Sequence, residues 1–80
     1  MNAQSDFSTA TSPPAEEITH LEARIRCRLN GLVADFRLEW QDGGWVLSGH
    51  ARTYYAKQFA QEAVMNQSNR PLHANRIEVR

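Results

Sequence analysis

The chain has 80 residues, 41% of them hydrophobic and 22% charged, which suits one small folded domain and excludes a multidomain enzyme or a disordered polymer. Nine Lys and Arg balance nine Asp and Glu, so the broad positive field of a dedicated nucleic-acid binder is missing. No apolar run exceeds three residues, against about 20 for a membrane span and roughly 7–15 for a signal-peptide core. The expected setting is cytoplasmic, with a membrane-peripheral position as the alternative, and the single Cys27 fits a reducing compartment.

Residues 1–14 carry five Ser or Thr and two prolines around one large apolar side chain, Phe7, and read as a disordered tail. Order is expected from residue 15. Pro13-Pro14 before Glu16 and Glu17 suits a helix start, since acids favour the positive end of the helix dipole. Ile18, Leu21, Ile25, Leu29 and Leu32 recur at spacings of three and four, one apolar stripe at 3.6 residues per turn. Asn30-Gly31 supplies the stop.

The period then changes to two. Phe36, Leu38 and Trp40 alternate with Arg37, Glu39 and Gln41, predicting a strand with one apolar face. Asp42-Gly43-Gly44 offers a tight turn, and Trp45, Leu47, Gly49 and Ala51 line one face of a second strand, giving a hairpin. Thr53 is placed to cap a second helix, with Tyr55 or Ala56, Phe59, Ala60, Ala63 and Val64 inward. A polar loop at 67–71 leads to a last strand over 73–79, with His73, Ile77 and Val79 inward. The expectation is an α+β two-layer sandwich of order α-β-β-α-β, two helices on one face of a three-stranded mixed sheet.

Together, Ile25-x3-Leu29, Asp42-Gly43-x-Trp45-x-Leu47-Ser48-Gly49, Lys57-x2-Ala60-x2-Ala63 and Asn75-Arg76-Ile77-Glu78-Val79 resemble the BON domain family over residues 15–80. The resemblance implies structural roles for Gly43 or Gly44 in the hairpin turn, for Gly49 and Ala60 in letting the helix approach the sheet, and for Leu47, Asn75 and Val79 in the strands. It also implies attachment to a phospholipid surface or to another protein. Where the family tends to have Gly-Val and a further valine, this chain has Asn69-Arg70 and His73, so mobility is expected around residues 67–74.

No chemistry stands out. His20, Cys27, His50 and His73 lack metal-ligand spacing, no histidine is placed as a base for Cys27, and no cofactor motif is present. The reading is therefore a noncatalytic binding module. Its candidate interaction patch is Trp40 and Trp45 at the hairpin tip with Tyr54, Arg37 and Arg52. Protein contact or self-association is the first expectation and phospholipid contact the second. RNA or single-stranded nucleic acid comes third, because neither a stacking platform nor a G-x-x-G clamp is present. The sheet face away from the helices, and both sheet edges, are expected to be free for a partner.

Overall fold

The computed structural model describes residues 12–80. The first eleven residues of the stretch read as a tail lie outside the described chain. Helix α1 spans Ala15–Leu29, followed by strands β1 (Val33–Gln41) and β2 (Gly44–Ala51), helix α2 (Tyr54–Gln67), and strands β3 (Leu72–Asn75) and β4 (Glu78–Val79). The order α-β-β-α-β is the expected one, with the last β unit broken in two.

Helix α1 begins after Pro14, carries Glu16 and Glu17 in its first turn, and buries Leu21, Ile25 and Leu29. It ends at Asn30, which takes the left-handed conformation (φ 47°, ψ 48°) and returns its N–H to the Arg26 carbonyl. Leu32, expected in the buried stripe, falls beyond that turn and is 43% exposed. Helix α2 starts at Thr53, whose side chain accepts the Ala56 N–H, and buries Ala56, Ala60, Ala63 and Val64. Small residues on this face let the helix lie close to the sheet.

Strand β2 is the centre of the sheet: β1 pairs with it antiparallel on one side, β3 and β4 parallel on the other. The hairpin register Gln41↔Gly44 leaves Asp42 and Gly43 as a two-residue turn, both at positive φ (52° and 81°). Gly44 has a different task, since a Cβ there would lie 2.8 Å from the His73 backbone nitrogen of β3.

A bulge in β1 corrects the simple alternation. Val33 and Phe36 are both buried although three residues apart, and the register shifts between Ala34 and Arg37, with Asp35 at φ 56°. Gly49 belongs to this bulge and not to helix packing: its φ is 143°, and a Cβ would meet the Ala34 carbonyl oxygen and Val33 Cγ1, each at 2.8 Å.

The core joins Leu21, Ile25 and Leu29 of α1, Val33, Phe36 and Leu38 of β1, Trp45, Leu47 and Ala51 of β2, the buried face of α2, and Ile77. Val46 is also buried, although it alternates with this set; its cross-strand neighbours are Glu39 and Ala74. Two further expectations fail. Val79 is 44% exposed, and His73 is exposed with Nε2 3.6 Å from Asp42 Oδ2. For His73 the cause is register: Leu72 pairs with Trp45 and Ala74 with Val46, and the shift between them turns His73 outward, whereas Val79 stays in register opposite Ala51, the last residue of β2. Asn75 acts elsewhere, its amide donating to the Lys57 carbonyl of α2 while its Oδ1 accepts the Ile77 N–H. That side chain turns toward α2 and interrupts the strand at Arg76-Ile77, so the sheet has four strands instead of three.

Candidate interaction surface

The two tryptophans face each other across the hairpin, Trp40 paired with Trp45, with ring centroids 5.0 Å apart and planes at 84°. Trp45 is fully buried and its Nε1 donates to Ser68 Oγ at 2.9 Å. The same oxygen accepts the Arg70 N–H at 3.1 Å. The Arg70 guanidinium lies 5.7 Å from the Trp40 ring centroid and makes two bonds to the Glu17 carboxylate. Those bonds from Arg70 hold the Glu17 carboxyl below its ordinary value of 4.5, against the opposing effect of desolvation, and raise Arg70 in turn.

The hairpin tip is thus tied to the start of α1 and to the loop before β3. Within segment 67–74, where mobility is expected, Ser68 bonds Trp45 and Arg70 bonds Glu17. The proposed patch also separates in space. Trp45 is buried, Trp40 is half-covered, and Arg37 sits in mid-β1 paired with Ser48. Arg52 and Tyr54 follow the far end of β2, away from the turn.

That far end collects the exposed apolar side chains. Among the described residues, the exposed large hydrophobics are Leu32, Tyr54, Tyr55, Met65 and Val79, and all but Met65 lie within a few positions of Ala51 along the chain or across the strand pairing. Leu32 immediately precedes Val33, which pairs with Ala51; Val79 pairs with Ala51 in β4; Tyr54 and Tyr55 open α2 just after it. Tyr55 stacks on Phe59 with centroids 6.1 Å apart, and the Tyr54 hydroxyl accepts a bond from Gln58 Nε2. A cleft of about 310 Å³ opens here, with Leu32, Ala34 and Ala56 as its apolar lining and His50, Arg52 and Thr53 as its polar lining.

Of this surface, the sequence reading named Tyr54 and Arg52 and missed Leu32, Tyr55 and Val79. The signals were present. Leu32 stands after the Asn30-Gly31 stop, and the run Tyr54-Tyr55-Ala56 contains three apolar residues in one helical turn, of which only Ala56 is buried.

Side chains of the protein engage part of each sheet edge. On β1 the outward Leu38 N–H donates to Glu22 Oε2 at 2.9 Å, and the outward Phe36 carbonyl accepts from Arg26 Nε and Nη2 at 3.2 and 2.9 Å. On the other edge, the Arg76 and Arg80 N–H groups donate to β2, leaving Ile77 N–H outward, where Asn75 Oδ1 takes it. The free edges expected from sequence are closed at these positions.

The open sheet face carries Arg37, Glu39, Gln41, Ser48 and His50, of mixed sign. His50 lies between two carboxylates, Nδ1 3.7 Å from Asp35 and Nε2 3.7 Å from Glu78. Among the described residues no three His, Cys, Asp or Glu side chains gather as a metal site, no polar or charged side chain is buried, and no helix is long and apolar enough to cross a membrane. Cys27 is exposed on α1. No protein-family model matches the chain, and searches of curated proteins and of solved structures found no match.

Proposed function

We propose that the chain is a noncatalytic binding module of BON type that acts through protein–protein contact, self-association included, at the end of the domain around Ala51. The observation that carries this reading is the gathering of Leu32, Tyr54, Tyr55 and Val79 there, beside Arg52. Tyrosines and an arginine beside aliphatic side chains are the composition of an interface core, and their exposure in the isolated chain leaves apolar area to be covered. The partly engaged edges favour docking by this end over strand addition. Water contact at every acid, base and thiol among the described residues favours recognition over catalysis.

Phospholipid contact is the second reading, favoured by the tyrosines flanking Arg52 at one pole, an amphipathic arrangement suited to a bilayer interface. A photo-crosslinker at position 55, with sedimentation equilibrium of the full chain, separates the two. Dimerisation, or a cross-link to one defined protein, that disappears in a Tyr54→Ser/Tyr55→Ser variant of unchanged core hydrogen exchange supports the protein reading. Association that persists in that variant, or cross-linking to anionic vesicles alone, overturns it.

A further inference from the structure

The cleft beside Ala51 has two chemically distinct walls, which together specify a ligand. At about 310 Å³ it lies at the lower end of the size range of small-ligand sites. Leu32, Ala34 and Ala56 form its apolar side. On the polar side, Thr53 Oγ1 is already engaged with the Ala56 N–H, so the hydroxyl that caps α2 is occupied. His50 stands between Asp35 and Glu78, so its charge, when present, is answered on both sides. Arg52 differs from these: it is exposed, and among the described residues it makes neither an ion pair nor a side-chain hydrogen bond.

An unengaged guanidinium beside an apolar wall calls for a planar anion attached to an apolar group. The carboxylates of Asp35 and Glu78 next to His50 disfavour a multiply charged anion such as a phosphate, which would add repulsion to the site. A single carboxylate meets Arg52 with less of that repulsion, since it carries one charge. In a chain's last residue, the carboxylate and the side chain branch from one Cα, so one residue reaches both walls of so small a cleft. We propose that this cleft receives the free C-terminal carboxylate of a partner chain whose last side chain is apolar. The proposal rests on the reading of this end as a binding surface and adds the chemistry of the partner segment. Chain termini are a recognised class of peptide ligand, and here the anion partner would be the Arg52 side chain.

The test uses N-acetylleucine as the probe, followed by amide chemical shifts of the full chain. N-acetylleucinamide, which lacks the charge, and acetyl-leucyl-glutamate α-amide, whose only carboxylate is on a side chain, are the comparison ligands. N-acetylleucine is expected to shift Leu32, Ala34, Arg52, Thr53 and Ala56 with millimolar affinity, as befits so few heavy atoms. Its preference over the amide should be about tenfold and should vanish in Arg52→Gln, with Arg52→Lys retaining part of it. Equal affinity for acid and amide, or no shifts at the cleft at all, overturns the proposal. Equal affinity for the glutamate ligand overturns the assignment to a chain terminus. Because the probe needs no macromolecular partner, a negative result here leaves the position-55 cross-link to judge the broader reading separately.

Discussion

Arg70 grips Glu17 in a two-bond fork across 53 positions of sequence, at 2.7 and 2.9 Å, while its Cζ lies over the Trp40 ring, 5.7 Å from the centroid. This one side chain joins the beginning of α1, the hairpin tip and the loop before β3. The Glu17 side chain is 38% exposed, so solvent screening limits the pair to about 0.5–1 kcal/mol. Glu17→Gln should lower stability by that amount at neutral pH. The folded-state carboxyl binds its proton less tightly than the unfolded one, so the contribution is complete above 4.5 and is lost as pH falls through the lower folded value. Urea unfolding of both proteins from neutral pH down to the acid range should show the two curves converging. A constant gap throughout would remove Glu17 as its source.

Trp45 is completely enclosed and its indole N–H has Ser68 as partner. Trp45→Phe removes the donor and part of the ring, and should cost about 2–4 kcal/mol. Trp40→Phe, on a half-covered ring, should cost about 1 kcal/mol, chiefly the lost edge contact and cation–π contact. Thermal unfolding of the two variants gives the comparison, and equal losses would contradict the difference in burial.

Glycines 43 and 49 need different things. Gly43 sits at φ 81° with open space around it, so Gly43→Ala should cost only the left-handed strain, about 1 kcal/mol. At Gly49 a methyl group would overlap the bulge of β1 as well as strain the backbone, and Gly49→Ala should cost about 2–4 kcal/mol. Denaturant midpoints should therefore fall further for position 49, and amide exchange at Ala34 and Asp35 should accelerate there but not in the turn variant.

The β1 edge is covered by two side chains of α1. Glu22→Ala/Arg26→Ala should free the Leu38 N–H and the Phe36 carbonyl, speeding exchange of the Leu38 amide at least about tenfold. It should also introduce concentration-dependent association through β1, visible in sedimentation velocity. Unchanged exchange at Leu38 would show that the edge is protected by other means.

Periodicity made the helices and the hairpin legible, because burial at Leu21, Ile25 and Leu29, or at Phe36 and Leu38, follows from local geometry. The bulge did not announce itself: Asp35 looks like an ordinary polar strand residue, and only the register, Ala34↔His50 then Arg37↔Ser48, sets two residues of β1 against Gly49. Within the polar loop at 67–71, nothing local marks Arg70, because its partner Glu17 lies in a distant helix. Asn75 suited a strand pattern, yet its amide is spent on α2. For the interaction surface, the residue types were legible and the placement was not. The tryptophans drew notice by size, but size is also what draws Trp45 into the core, whereas Leu32 is a surface residue because it follows the helix stop, and Val79 lies opposite Ala51 at the last pair of the sheet.

The position of β2 between an antiparallel and a parallel neighbour also makes its pairings unequal in entropic cost. Its pairing with β1 closes across two residues, a small entropic demand, whereas β3 and β4 can join only after the whole of α2 has been brought back along the sheet. Contact order alone therefore favours the hairpin as the less costly pairing to form and the C-terminal pairing at Ala51 as the more costly one. A ligand bound at the proposed surface around Ala51 would then add its free energy next to the least local pairing of the sheet.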